Sequence, residues 1–253
     1  MTEDSPRDRF VTVYGRKPVV EALHDANLKV DKVLLAHQAR GDSVNDILRA
    51  AKTRDVPVRR VDADRIKRLA GNGKQDQGVM ADVLAPRMRT LGAAVNVDYR
   101  QQPDALLLLD GITTPANVGM IIRAATAAGV AGIVVPHHGV AGLGPLVVKA
   151  SAGIAFRAPI LRCSTAEEAA AQLLEANYVL VGLDSEGPLS LYEAEFPERV
   201  VFVLGGETHG LSEQVKPYVG MWVRIPMAGE VESLNVSTAA AVVSFELLRR
   251  KTS

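Results

Sequence analysis

A single cysteine, Cys163, leaves no partner for an internal disulfide and no thiolate set for a cysteine-based metal cluster. Its expected place is that of a small buried filler beside a strand end. No apolar run approaches the length that crosses a bilayer, and the opening MTEDSPRDRF is too polar for a signal peptide. The chain is therefore expected to stay in the cytosol. Gly142-Leu143-Gly144 and Gly71-Asn72-Gly73 each lack the third glycine of a dinucleotide fingerprint. Neither G-x-x-x-x-G-K-[ST], H-E-x-x-H nor G-x-S-x-G occurs, which removes P-loop nucleotidases, zincins and α/β-hydrolases. His137 and His138 are chain neighbours that a strand would point to opposite faces, so no metal site is expected.

Net charge is lacking too, and zero overall argues at first against a polyanionic partner. Its distribution argues otherwise: residues 1–85 carry +3, residues 86–103 carry +2 and residues 104–253 carry −5. A basic front on an acidic back is expected where one part meets a polyanion and the other does something else. Arg16, Lys17, Arg59, Arg60, Arg65, Lys67 and Arg68 cluster in that front and are the expected contacts to such a polyanion.

Three units follow from the pattern. Over residues 1–85, helical PVVEALHDA, SVNDILRAAKTRD and DADRIKRLAG alternate with strand-like KVLLAH, VPVRRVD and GVMADV, giving a small α/β domain. Residues 86–103 read as a linker with one short helix. Residues 104–253 hold six apolar strand-like runs, ALLLLD, AGIVVP, APILR, YVLVGLD, VVFVLG and MWVRIP. Helical NVGMIIRAATAAG, STAEEAAAQLLEAN and LNVSTAAAVVSFELLRRK separate or follow them, which predicts a parallel sheet covered on both faces. The last helix is apolar nearly all round and needs cover on more than one side, from a partner or from the chain's own core.

Three loops after strands carry the candidate chemistry. In the first, Asp110 ends a strand, Pro115 and Asn117 shape the loop with Asn117 placed to cap a helix, and Arg123 follows inside it. A capped helix with one solvated arginine would explain this equally well. In the second, Gly205 and Gly206 precede Glu207 and let backbone approach a ligand, although a tight turn with Ser212 capping a short helix needs no ligand. His209 there reads as a solvent-exposed turn residue. In the third, Ser233, Asn235 and Ser237 open the last helix, more small polar groups than one cap requires.

Together the order D-x-x-x-x-P-x-N-x-G-x-x-x-R, L-G-x-E-x-x-G-L and I-P-M-x-G-x-V-x-S-L-N-V-S resembles the three signature motifs of the SpoU/TrmH family of the SPOUT class, S-adenosyl-L-methionine-dependent RNA 2′-O-ribose methyltransferases. Lys149-Ala150-Ser151-Ala152-Gly153 is similar to the family's K-x-S-x-G stretch. Val13-Tyr14-Gly15, Pro18 to Leu23 and Gln77 to Ala81 resemble the L30e-like substrate domain of bacterial members. The resemblance implies a SPOUT domain with a carboxy-terminal trefoil knot, and a homodimer formed near the last helix. It implies cofactor contacts at Leu204, Gly205, Gly206, Ile225, Met227 and Leu234, and a catalytic set of Asn117, Arg123, Glu207, Ser233 and Asn235. An arginine is too weak an acid to serve as a base. Arg123 is therefore expected to stabilise developing charge or hold phosphate, with Asn117 and Asn235 orienting it and the ribose and Ser233 adding a local hydrogen bond. The layout most resembles enzymes acting on guanosine in 23S rRNA. A tRNA-directed enzyme and a non-catalytic RNA-binding protein are the alternatives. A small-molecule enzyme on a flavodoxin-like fold would need a phosphate or flavin loop that is not visible.

Overall fold

The structure, a computed structural model, describes residues 8–70, 76–229 and 231–252. Gly71-Asn72-Gly73 and the first seven residues lie outside that range.

The first unit alternates strand and helix: β1 (Phe10–Tyr14), α1 (Arg16–His24), β2 (Val30–Ala36), α2 (Asp42–Thr53), β3 (Val58–Val61), α3 (Ala63–Ala70) and β4 (Val79–Leu84). Its sheet runs β1-β4-β2-β3, parallel only between β2 and β3. Side chains alternate across a strand, and here the two faces have different fates. Val11, Val13, Val33, Leu35, Val79 and Val83 are buried in a core with Val19, Leu23, Val44 and Ile47 of α1 and α2. The alternate residues Thr12, Tyr14, Lys32, Leu34, Met80 and Asp82 line a cleft on the opposite face. The last carbonyls of α1, which no helical amide can reach, are closed by Arg54, whose Nη1 donates to the oxygens of Ala22, Leu23 and Asp25.

The second unit comprises β5 (Arg89–Thr90), α4 (Leu91–Val95), β6 (Ala105–Leu109), α5 (Pro115–Ala127), β7 (Gly132–Pro136), α6 (Pro145–Ala150), β8 (Ile160–Cys163), α7 (Ala166–Glu175), β9 (Val179–Leu183), β10 (Leu189–Ser190), β11 (Val200–Leu204), β12 (Val219–Arg224) and α8 (Val236–Thr252). The sheet runs β10-β12-β9-β11-β6-β7-β8-β5, and every neighbouring pair is parallel. Its apolar runs are continuous because both faces are covered. Leu107, Leu109, Phe202 and Leu204 pack with Ile121 of α5 and Val243 of α8. Leu106, Leu108, Val201 and Val203 pack with Ala169 and Leu173 of α7. Burying each such side chain contributes about 1.5–3 kcal/mol.

The stretch read as a linker is woven into this unit. β5 adds an edge strand beside β8, and Leu91, Ala94 and Val95 of α4 are buried on the α7 side. Arg199 stacks 3.4 Å from the Tyr99 ring centroid and donates to Gln102 Oε1 and the Tyr99 carbonyl.

Beyond β12, near one edge of the sheet, α8 returns to its middle and packs on α5 and β11. Arg250 fixes its far end by donating to the carbonyls of Ala194 and Leu191, each at 2.6 Å. Intramolecular packing thus covers much of the helix, while Phe245 stays 49% exposed.

Candidate functional site

Strands β6 and β11 lie side by side, with Leu109 opposite Leu204. From β6 the chain moves to β7 and β8 on one side, whereas β9 and β12 lie on the other. Such a reversal opens a crevice at the carboxy ends of the strands, where open α/β sheets bind ligands. The three candidate loops all leave the sheet at that end.

The loops are pinned to each other. The Asp110 amide donates to the Leu204 carbonyl at 2.9 Å, and buried Asp110 accepts the Ser212 amide on Oδ2 at 2.7 Å. Ser212 thus anchors its turn to the first loop. Gly205 and Gly206 serve the same docking: a Cβ on Gly205 would lie 2.3 Å from the carbonyl carbon of Gly210, and one on Gly206 2.7 Å from the oxygen of Gly111. The space a side chain would take at these glycines is occupied by the protein's own backbone. Gly206 and Gly210 also exchange amide hydrogen bonds at 2.9 and 3.0 Å.

Asn117 does not cap α5. Thr114 precedes that helix and Pro115 opens it, because the fixed φ of proline suits a first turn. Freed from capping, the buried Asn117 side chain donates from Nδ2 to Glu207 Oε1 at 2.7 Å. Asn235 Nδ2 donates to the same oxygen at 2.6 Å and reaches Asn117 Oδ1 at 3.3 Å. Asn235 Oδ1 accepts from the amide of Ser237 at 2.8 Å and its hydroxyl at 2.6 Å, capping α8. One residue from each loop therefore meets in a single cluster. Glu207 is solvent-exposed, and its Oε2 carries no hydrogen bond from a described residue. That leaves one carboxylate oxygen oriented by two amides and open to a hydroxyl donor.

Other anticipated residues lie apart from this cluster. Arg123, on the ninth residue of α5, is exposed and makes no hydrogen bond or ion pair with a described residue. Asn117 and Asn235 orient Glu207, not Arg123. Ser233 is exposed and Leu234 half-buried. Ile225 and Met227 line a cavity of about 560 Å³ with Ser185, Glu186, Val231 and Glu232. Arg224 lines it too, its Nη1 donating to the carbonyls of Gly187 and Pro188, and the volume falls in the usual range for small-molecule sites. Ser151 of the K-x-S-x-G stretch is structural, accepting the Ala155 amide and donating to the Val148 carbonyl. Cys163 is half-buried at the end of β8, where burial pushes its thiol up to about 12. Asp110 and Ser237 were missed as site residues; a buried carboxylate ending an apolar strand was the available signal for the first.

The basic residues of the first unit divide into two groups. Arg59, Arg65 and Arg68 line the cleft on the open face of the first sheet, about 800 Å³ in volume. Arg60 is spent on the fold, its Nη1 donating to the carbonyls of Ala36 and Ala39 at 3.0 Å each. Lys67 pairs with Asp64 and Lys17 with Glu21 on the surface, and Arg16 is half-buried.

Two family models match the chain: SpoU rRNA Methylase over residues 104–245, and RNA 2′-O ribose methyltransferase substrate binding over residues 12–89. The 23S rRNA (guanosine-2′-O-)-methyltransferase RlmB of Xylella fastidiosa is 34% identical over 241 residues, covering 95% of this chain and 96% of that protein. The enzyme of the same name from Bordetella pertussis is 32% identical over 237 residues, covering 94% and 96%. Among solved structures, the SpoU methyltransferase AviRb from Streptomyces viridochromogenes, in complex with the cofactor AdoMet, superposes with a TM-score of 0.63 at 27% identity, covering 97% of this chain and 92% of that one.

Proposed function

The chain belongs to the SpoU rRNA methylase family, and from that premise we propose that it methylates the ribose 2′-hydroxyl of a guanosine in 23S rRNA, using S-adenosyl-L-methionine. The observation that carries the reading is the seat of Glu207. Its Oε1 is held by Asn117 and Asn235, so Oε2 faces an incoming hydroxyl without reorganising. In this role Glu207 accepts the 2′-OH hydrogen bond and draws the proton away as the oxygen attacks. Bound in the crevice, with Leu204, Gly205, Gly206, Ile225, Met227 and Leu234 about it, S-adenosyl-L-methionine supplies the electrophilic methyl group. Exposed Arg123 holds a substrate phosphate and stabilises charge developing on the ribose, while Ser233 supplies a further hydrogen bond at the entrance.

Assembly and threading belong to the same proposal. The return of α8 from the sheet edge onto α5 and β11 supports a carboxy-terminal trefoil knot. Met120 on α5 and Phe245 on α8, 41% and 49% exposed, support a homodimer through these helices, which light scattering would register as a doubled mass. No helix among the described residues is long and apolar enough to cross a membrane. The cytoplasm, where ribosomal RNA is made and assembled, is the proposed site of action.

Mass-spectrometric mapping of 2′-O-methyl groups in rRNA and tRNA, with and without the gene, tests the substrate. Loss of one methylated guanosine in 23S rRNA is expected. A loss confined to tRNA, or none, overturns the assignment.

A further inference from the structure

The 800 Å³ cleft lies between the two units. One wall carries Arg59 of β3 with Arg65 and Arg68 of α3, none hydrogen-bonded or ion-paired with a described residue. The opposite wall is Thr113, Pro115, His137 and the turn from Ala141 to Gly144. Between them Phe10 and Tyr14 are half-buried, and Leu69 and Leu146 stand 39% and 52% exposed. The remaining cations are occupied: Lys32 pairs with Asp82 at 2.8 Å, and Arg162 donates to the Val135 carbonyl and meets His137 Nδ1 at 2.7 Å.

Three guanidiniums without a partner among the described residues, beside aromatic and aliphatic surface, match an anion that also offers a flat apolar face. A nucleotide with its base unstacked has that character. Within a duplex the base faces are consumed by stacking, and A-form RNA presents mainly backbone and 2′-hydroxyls. Single strands offer base faces to aromatic side chains and phosphates to arginines. Position relates the cleft to the candidate site, because Pro115 in its wall opens the helix that carries Asn117 two residues later.

The cleft is also held at a set width. His137 Nε2 meets Asp8 Oδ1 at 2.9 Å, while its Nδ1 faces Arg162, so the ring is neutral with Nε2–H donating to Asp8. Burial, with the Arg162 guanidinium beside it, keeps the His137 pKa below its ordinary value. Across the same gap a Cβ on Gly144 would stand 3.3 Å from the Tyr14 ring, which the absence of a side chain there accommodates.

We propose that this cleft reads the substrate by taking an unpaired nucleotide adjoining the methylated one, its phosphates on Arg59, Arg65 and Arg68 and its base against Phe10, Tyr14, Leu69 and Leu146. The proposal rests on the reading of the chain as an RNA 2′-O-methyltransferase and adds the conformation of RNA it selects.

Gly142 provides the test, since it lines the cleft and a Cβ there meets no atom within 4 Å. Gly142→Trp sets a bulky group on the cleft wall without changing charge. In the full-length protein it is expected to lower kcat/KM on a 23S rRNA transcript at least about tenfold, with S-adenosylmethionine affinity and melting temperature unchanged. Binding of an unpaired RNA 14-mer should weaken in parallel, and binding of the same sequence as a duplex should not. A second variant, Arg59→Gln/Arg65→Gln/Arg68→Gln, should reduce the salt slope of single-strand binding by about 2, as for three lost phosphate contacts. Full activity and affinity in Gly142→Trp, or a duplex that competes as well as the single strand, would overturn the cleft assignment. A native protein that methylates no RNA yet binds the 14-mer in a Gly142→Trp-sensitive way would instead overturn the enzymatic reading and leave the cleft standing.

Discussion

Replacing Gly119 by alanine sets two effects of opposite sign against each other. Alanine is the better helix former, by about 1 kcal/mol in a helix interior. The structure opposes that gain with contact, because α5 lies directly on α6 at this residue. A Cβ at position 119 would stand 2.5 Å from Ala150 Cβ, 2.7 Å from the Val147 carbonyl oxygen and 3.0 Å from the Ser151 amide nitrogen. Carbon contacts are favourable only near 3.5–4.0 Å, so the helices must part by roughly 1 Å. Two of the three opposing atoms are backbone and have no rotamer to yield. Overpacking of this kind costs about 1–3 kcal/mol and can exceed that, so the clash outweighs the propensity gain. A net loss of about 1–2 kcal/mol corresponds to a melting temperature lower by roughly 2–8 °C for a chain of this size. The displacement also disturbs the seat of Asn117, two residues earlier on α5, against Glu207. Methyl transfer on an rRNA transcript should therefore fall more than cofactor affinity does. Differential scanning calorimetry and single-turnover kinetics measure the two effects. An unchanged or raised melting temperature would refute the reasoning, since it would mean that α6 yields without cost.

Glu207→Ala and Asn235→Ala should each lower the methylation rate on the order of 10²-fold, and the double variant should lose less than the product of the two, because both act through one hydrogen-bonded cluster; strictly multiplicative losses in single-turnover rates would separate the residues. Arg123→Ala should cost on the order of 10²–10³ in turnover with little change in cofactor affinity, and calorimetric titration alongside the rate assay would show whether binding is spared. Glu246 is held down to about 2 by hydrogen bonds from Arg249, against the opposing effect of burial, and from Arg250. A depressed carboxyl contributes stability that is present above its unfolded value near 4.5 and lost as pH falls towards 2. Urea unfolding should accordingly show Glu246→Gln less stable than the native chain at pH 6, with the gap closing through that window; a gap independent of pH would contradict it.

The strands of the second unit were legible because burial on both faces leaves an unbroken apolar run such as Leu106 to Leu109. In the first unit the run at β4 was legible as a strand while β1 was not, and neither run shows what lies on its second face, since Thr12 and Asp82 would read alike whether solvated or lining a cleft. Elements too short to repeat their period twice escaped: α6 has six residues after a glycine-rich loop, and β10 has two. Asn117 shows a different limit. An asparagine near a helix start reads as a cap, and only the distant Glu207 and Asn235 reveal that its amide is used elsewhere. Charge counting also could not separate Arg60, whose guanidinium closes the carbonyls of Ala36 and Ala39, from Arg59, which faces the cleft.

The seat of Glu207 has a consequence for how the protein comes into being. Its two supporting amides belong to residues 90 positions before it and 28 after it. The later one caps a helix that packs on α5 and β11 and is fixed at its far end by Arg250 on the carbonyls of Leu191 and Ala194. A ribosome releasing this chain residue by residue therefore completes the sheet, and the cleft lined by Arg59, Arg65 and Arg68, before it completes the cluster of Asn117, Glu207 and Asn235. Contacts of such wide separation form late, after the local ones have closed their loops. The cluster is complete only with α8, and a chain that stops short of that helix keeps at most the Asn117 half of it.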